Sequence, residues 1–182
     1  IAASAAIYYF GPAFGITRVV TDAESKIVEL PDGSLVSLNR DTELEYPRWF
    51  SRNRRYVKLT GEAYFEVRPD AEKPFRVTTR DAFIQVIGTA FNVEAYDKDQ
   101  KVEVTVTEGV VAFSHTPAPD DRVILEQGEQ GILIRSSGAL FEQENNDPNY
   151  MAWKTRQIVF EDQDLRTVIS TLEDVYDTTI TL

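Results

Sequence analysis

The chain has 182 residues, a formal net charge of −11, 42% hydrophobic and 27% charged residues, no cysteine and a single histidine, His115. That length and balance fit one folded domain, or one domain with a small appendage, and not a disordered chain. The acidity argues against a nucleic-acid binder. The absence of cysteine removes disulfides, thiolate metal sites and cysteine nucleophiles, and one histidine argues against a histidine metal cluster or a Ser-His-Asp triad.

From Ile1 to Ile16 there is no charge, and Tyr8, Tyr9, Phe10 and Phe14 flank the break at Gly11-Pro12. A complete span needs roughly 20 apolar residues. The run at 1–16 is therefore read as the outer end of a transmembrane helix, where tyrosine sits at the interface. A buried terminal segment or the remnant of a signal peptide is the alternative.

From Lys26 to about Gln143 the pattern has period 2, which predicts strands with one buried face. Val57 and Leu59 alternate with Tyr56 and Lys58, and Ala63, Phe65 and Val67 with Glu62, Tyr64 and Glu66. Phe91, Val93 and Ala95 alternate with Asn92, Glu94 and Tyr96, and Val102, Val104 and Val106 with Glu103, Thr105 and Thr107. Pro31-Asp32-Gly33 predicts a tight reversal, with proline presetting φ and glycine free to take positive φ. Gly61, Gly88 and Gly109 read as turn residues that feed strands, and Phe65 and Phe91 as core. The spacing of Val28, Leu30, Gly33 and Leu38 recurs at Val123, Leu125, Gly128 and Leu133. This fits a stacked, solenoid-like twisted β domain or a jelly roll.

Asn145-Asn146-Asp147-Pro148-Asn149 reads as a linker. Beyond it, Gln157–Phe160 is predicted as a strand, Asp162 as an N-cap with Asp164 in the first turn, and Leu165, Val168, Ile169, Leu172 and Val175 as one helix face. Thr178–Leu182 is predicted as a second strand, which makes residues 150–182 a βαβ unit. The expected organisation is mainly β: a residual span end at 1–16, an all-β domain at 17–146 and the βαβ unit at 150–182.

Candidate chemistry is sparse. Asp97 and Asp99 lack the glycine and glutamate of a calcium loop. His115 lies beside a proline-broken segment and is read as a loop residue without a role. Gly88-Thr89-Ala90-Phe91 precedes a strand and so lacks the helix N-terminus of a phosphate loop. Neither catalytic residues nor cofactor or metal ligands are nominated. Arg48, Arg52, Arg54, Arg55 and Lys58 flank Trp49 and Phe50 without an intervening acid, a composition suited to a partner-binding patch. Thr178 and Ile180 are candidates for an edge that accepts a partner's strand.

Several pieces in order carry a resemblance: Leu30-Pro31-Asp32-Gly33-Ser34 with Val36 and Leu38-Asn39; Val57-x-Leu59-x-Gly61-Glu62-Ala63-x-Phe65-x-Val67; Pro74-Phe75-x-Val77; Gly88-Thr89-x-Phe91-Asn92-Val93; and Val106-x-Glu108-Gly109-x-Val111. Together they resemble the periplasmic domain of the FecR family of transmembrane anti-sigma regulators, over about Val28 to Gln130. Trp153–Leu182 is similar to the start of a secretin/TonB short N-terminal module, without its second half. The resemblance implies a regulator and not an enzyme: a periplasmic domain of a single-pass inner-membrane protein. It would sense the signalling domain of an outer-membrane TonB-dependent transporter and act on an extracytoplasmic-function sigma factor. The sigma factor would be held by a cytoplasmic segment that is not in this sequence. Asp32, Gly33, Gly61, Phe65, Phe75, Gly88, Phe91 and Gly109 then read as scaffold. The other function class is a cell-surface carbohydrate- or ligand-binding β module using Trp49, Tyr56 and Tyr64 as a platform.

Overall fold

The computed structural model describes residues 15–118, 120–176 and 178–181. Most of the predicted span end lies outside the described residues, and Ile16, which was assigned to it, instead opens the first strand. Among the described residues no helix is long and apolar enough to cross a membrane. The chain divides between Glu144 and Asn145 into two units.

The first unit is built from strands β1 (Ile16–Val20), β2 (Lys26–Glu29), β3 (Leu35–Leu38), β4 (Glu43–Pro47), β5 (Arg55–Glu66), β6 (Phe75–Thr78), β7 (Ala82–Val86), β8 (Ala90–Ala95), β9 (Lys101–Glu108), β10 (Val111–His115), β11 (Arg122–Leu125), β12 (Glu129–Ile134) and β13 (Leu140–Glu144). His115, read from sequence as a loop residue, closes β10, because its register against Ala82 extends the β7–β10 ladder by one pair.

The long strand β5 organises the unit. Its first half pairs with β4 and, in parallel, with β6. Its second half pairs with β3 and β8. Two sheets therefore share one strand: β1-β4-β5-β6-β7-β10-β11 (sheet A) and β2-β3-β5-β8-β9-β12-β13 (sheet B). After β5, the hairpins β6–β7, β8–β9, β10–β11 and β12–β13 join sheets A, B, A and B in turn. Stacking follows, β10 on β7 and β12 on β9, which is a solenoid-like progression.

Gly61 is not a turn, as the sequence predicted, but sits within β5 where the strand passes from sheet A to sheet B. Its φ of 102° is closed to ordinary side chains, and a β-carbon there would stand 2.8 Å from Thr42 Cα. The bend is possible because glycine removes that clash. The two sheets bury one apolar core, with Leu44, Leu59, Ile84, Phe113 and Leu125 from A facing Leu38, Phe65, Phe91, Val104 and Leu133 from B. Phe65 and Phe91 stack at 5.1 Å between ring centroids, and Phe75 leans on Phe65 at 6.3 Å.

The second unit contains a short helix α1 (Ala152–Thr155) and the amphipathic helix α2 (Leu165–Tyr176). The two strands predicted to flank α2 are not formed. At 157–160 the Asn149 side chain replaces a neighbouring strand: its Oδ1 accepts from Val159 N–H at 2.8 Å and its Nδ2 donates to Val159 O at 3.0 Å. At 178–181 the Ile180 N–H donates to Glu173 Oε1 at 2.7 Å, and the Thr178 N–H to the Glu173 carbonyl at 3.2 Å. Strands exist only as ladders, and these backbone groups are already engaged otherwise. The helix cap also differs from expectation. Asp164, not Asp162, accepts from the N–H groups of Arg166 and Thr167 at 2.8 and 3.0 Å. Those backbone bonds, Thr167 first, hold its carboxyl below the usual range.

Candidate interaction surfaces

Asp32 and Gly33 form the β2–β3 turn. Asp32 accepts from the N–H and the hydroxyl of Ser34, at 3.1 and 2.8 Å. Its Oδ2 also takes Arg55 Nη1 at 2.9 Å. Arg55, read from sequence as part of the exposed basic patch, is only 2% exposed. It opens β5 in phase with Val57 and Leu59, so alternation turns it inward. There it donates to the carbonyls of Arg68 and Lys73, both at 2.7 Å, and of Ile87 at 3.1 Å, while its guanidinium lies 5.6 Å from the Phe75 ring centre. A buried arginine needs this saturation of donors. It clamps the β2–β3 turn to the start of β5 and to the loop after it, and it cannot reach a partner. Gly88 completes the same corner, since a β-carbon there would stand 2.6 Å from Pro69 Cα. Gly109 lies at the β9–β10 turn.

The rest of the predicted patch is at the surface. Arg48, Trp49, Arg52 and Arg54 are exposed on the β4–β5 connection. Tyr56 is partly exposed, but Tyr64 is only 7% exposed, so the platform of Trp49, Tyr56 and Tyr64 is not assembled. Thr178 is exposed and Ile180 half-buried, both off any strand.

Sequence reasoning missed a polar row on the outward phase of sheet B. Glu62 Oε2 accepts from Asn39 Nδ2 at 2.6 Å and its Oε1 from Asn92 Nδ2 at 2.8 Å. The Glu62 N–H donates to Thr42 Oγ1 at 2.9 Å. In the ladders Glu62 faces Glu94, and Glu94 faces Glu103. Burial, followed by repulsion from Glu62, Glu103 and Asp99 and opposed by Lys101, pushes Glu94 up to about 8. Glu103 is held by Lys101 Nζ at 2.7 Å and by Gln130 Nε2 at 3.2 Å. The signal available in sequence was three glutamates on outward positions of three strands, but only register makes them neighbours. Among the described residues no group of His, Cys, Asp or Glu side chains is arranged to hold a metal ion.

These features define a two-sheet β scaffold whose polar side chains serve clamps and surfaces. The FecR family, described as FecR protein, matches residues 17–112, more than half of the chain. Two solved structures of a candidate anti-sigma factor from Parabacteroides distasonis ATCC 8503 are similar. The one at 2.50 Å resolution is 35% identical, with 89% of this chain and 75% of that chain covered and a TM-score of 0.74. The one at 1.65 Å is 34% identical, with 88% and 75% covered and the same TM-score of 0.74. No curated protein matches the chain. The chain belongs to the FecR family.

Proposed function

We propose that this region is the periplasmic sensor of a single-pass transmembrane anti-sigma regulator. It passes a signal from an outer-membrane TonB-dependent transporter to an extracytoplasmic-function sigma factor held by a cytoplasmic segment. The carrying observation is FecR family membership together with structural likeness, over most of both chains, to a candidate anti-sigma factor. The uncharged aromatic run before Gly15 supports attachment to the inner membrane.

The second unit is the proposed docking site for the transporter's signalling domain. Val159, Phe160, Leu165 and Tyr176 are exposed large apolar residues in a unit of few residues. A unit of that size cannot cover its own apolar surface, and exposed patches of this kind mark interfaces.

The reading is tested in cells with the complete regulator and a reporter driven by its sigma factor. Replacing residues 17–182 by an unrelated periplasmic domain should leave sigma binding intact while abolishing induction by the transported nutrient. Induction that survives the replacement would overturn the reading.

A further inference from the structure

The β4–β5 connection, residues 48–54, displays Trp49 at 70% exposure. The loop is nevertheless tied down. Phe50 packs edge-on against Phe75 at 6.1 Å between centroids, and Ser51 bridges Arg54 across the turn. Trp49 is thus outside because the loop turns Phe50 in, not because the segment is unpacked.

Arg48, Arg52 and Arg54 form no ion pair among the described residues. The carboxylates on the adjoining strand are already engaged, Glu43 and Glu45 by Arg18 and Glu45 also by Lys58. Three unpaired guanidiniums beside an exposed indole are anomalous in a chain of net charge −11.

Their position is equally specific. The Arg48 N–H donates to the Gly15 carbonyl at 2.9 Å, and Ile16 faces Pro47 in the β1–β4 ladder. A β-carbon on Gly15 would lie 3.5 Å from Arg48 Cδ. The patch therefore stands where the β unit receives the uncharged run that precedes Gly15.

We propose that Arg48, Trp49, Arg52 and Arg54 form a contact for an anionic phospholipid surface, which seats the β unit against the membrane that anchors it. Indole rings settle at the headgroup level, and arginine forks match phosphate oxygens. Each basic residue near an anionic surface adds attraction that salt screens. The inference rests on the membrane attachment proposed above. An acidic protein is the other occupant that charge alone would fit, but the tie to Gly15 and the exposed tryptophan favour lipid.

The test uses the full chain carrying Trp153→Phe. The Trp153 indole N–H is buried without a partner, so phenylalanine sacrifices no hydrogen bond, and Trp49 becomes the sole indole. Binding is measured to vesicles of phosphatidylcholine alone and of phosphatidylcholine with phosphatidylglycerol. Binding to neutral vesicles reports on the uncharged run and hence on membrane attachment. The increment on adding phosphatidylglycerol reports on the patch, whichever way the first result falls.

The expected increment is on the order of a hundredfold at low salt for three arginines. It is lost both in Arg48→Glu/Arg52→Glu/Arg54→Glu and in the corresponding triple glutamine variant, each checked for an unchanged thermal midpoint. Trp49 emission shifts to the blue and is quenched by brominated lipid. An increment that is absent or survives both triple variants overturns the proposal, as does Trp49 emission blind to the quencher. Capture of polyglutamate, lost on charge reversal while lipid binding is unaffected, would also overturn it and make the patch an acidic-peptide site.

Discussion

Arg55 at the start of β5 reaches back 23 residues to Asp32 in the β2–β3 turn, its Nη1 lying 2.9 Å from the Asp32 carboxylate. Neither side chain is free to serve a partner. The pair fixes where β5 begins relative to the turn of sheet B, and β5 in turn sets both sheets. Arg55 is buried and Asp32 partly so, and removing Asp32 leaves a buried charge without its counter-ion, at a cost of up to roughly 3–5 kcal/mol. Asp32→Ala should lose stability of that order in urea denaturation. Arg55→Lys should not retain wild-type stability, because an ammonium cannot serve a carboxylate and three carbonyls with a planar fork. Losses below about 1 kcal/mol in both variants would show that the clamp is incidental.

The stacked pair Phe65 and Phe91 joins adjacent strands β5 and β8 in the centre of the core. Truncating a buried phenylalanine to alanine costs about 3–5 kcal/mol, a large part of the roughly 5–15 kcal/mol that holds a domain folded. Phe65→Ala should therefore lower the thermal midpoint by many degrees. Gly61→Ala, which removes no contact at all, should still cost at least the ~1–3 kcal/mol of a strained backbone, since φ is positive and the β-carbon meets Thr42. A neutral Gly61→Ala would mean that β5 can cross between sheets without the bend.

The all-β character and the inward phase of Phe65 and Phe91 were legible because period-2 alternation reports local burial directly. The same alternation placed Arg55 in phase with Val57 and Leu59, but the run of neighbouring arginines masked it and drew it into a surface patch. Gly61 was misread because a glycine before an alternating segment looks the same whether the chain reverses or one strand changes sheets. The repeated spacing shared by Val28–Leu38 and Val123–Leu133 also serves two different connections. The first is the paired hairpin β2–β3, and the second crosses from β11 in sheet A to β12 in sheet B. In the second unit, β-branched Thr178, Thr179 and Ile180 favoured a strand, but propensity supplies no ladder partner, and Glu173 took the N–H groups instead. The Glu62–Glu94–Glu103 row depends on register between strands far apart in sequence, which no local pattern encodes.

The acidic row makes stability fall with rising pH. The folded-state value of Glu94 is raised from 4.5 to about 8, so between those values the native state holds a proton that the unfolded chain releases. The slope of unfolding free energy with pH is therefore negative in this window. The contribution is fully present below 4.5 and is lost as pH rises through about 8. Glu94→Gln should flatten this part of the profile and leave the variant more stable than wild type at the alkaline end. Glu62→Gln should move the Glu94 titration downward, because it removes the largest of the repulsions acting on that group. Urea midpoints across the window, with the carboxyl followed by carbon-detected NMR, decide this. A Glu94 that titrates in the ordinary carboxylate range would refute it.

The two proposed surfaces are assigned different partners, and charge reversal distinguishes them. Leu165 and Tyr176 at the two ends of α2 are among the most exposed apolar side chains, so aspartate at either position removes little folded-state packing. An interface that buries them loses both apolar area and shape, and a residue that anchors an interface costs more than about 1 kcal/mol on truncation, with hot spots starting at about 2. Calorimetry of the full chain with a purified transporter signalling domain should thus show at least about a tenfold loss for Leu165→Asp/Tyr176→Asp. The Arg52→Glu/Arg54→Glu variant should bind that domain like wild type, since those guanidiniums are assigned to lipid. The reverse pattern, with charge reversal abolishing binding and the α2 variant unaffected, would make the Trp49 loop the relay surface and leave the second unit without a role in docking.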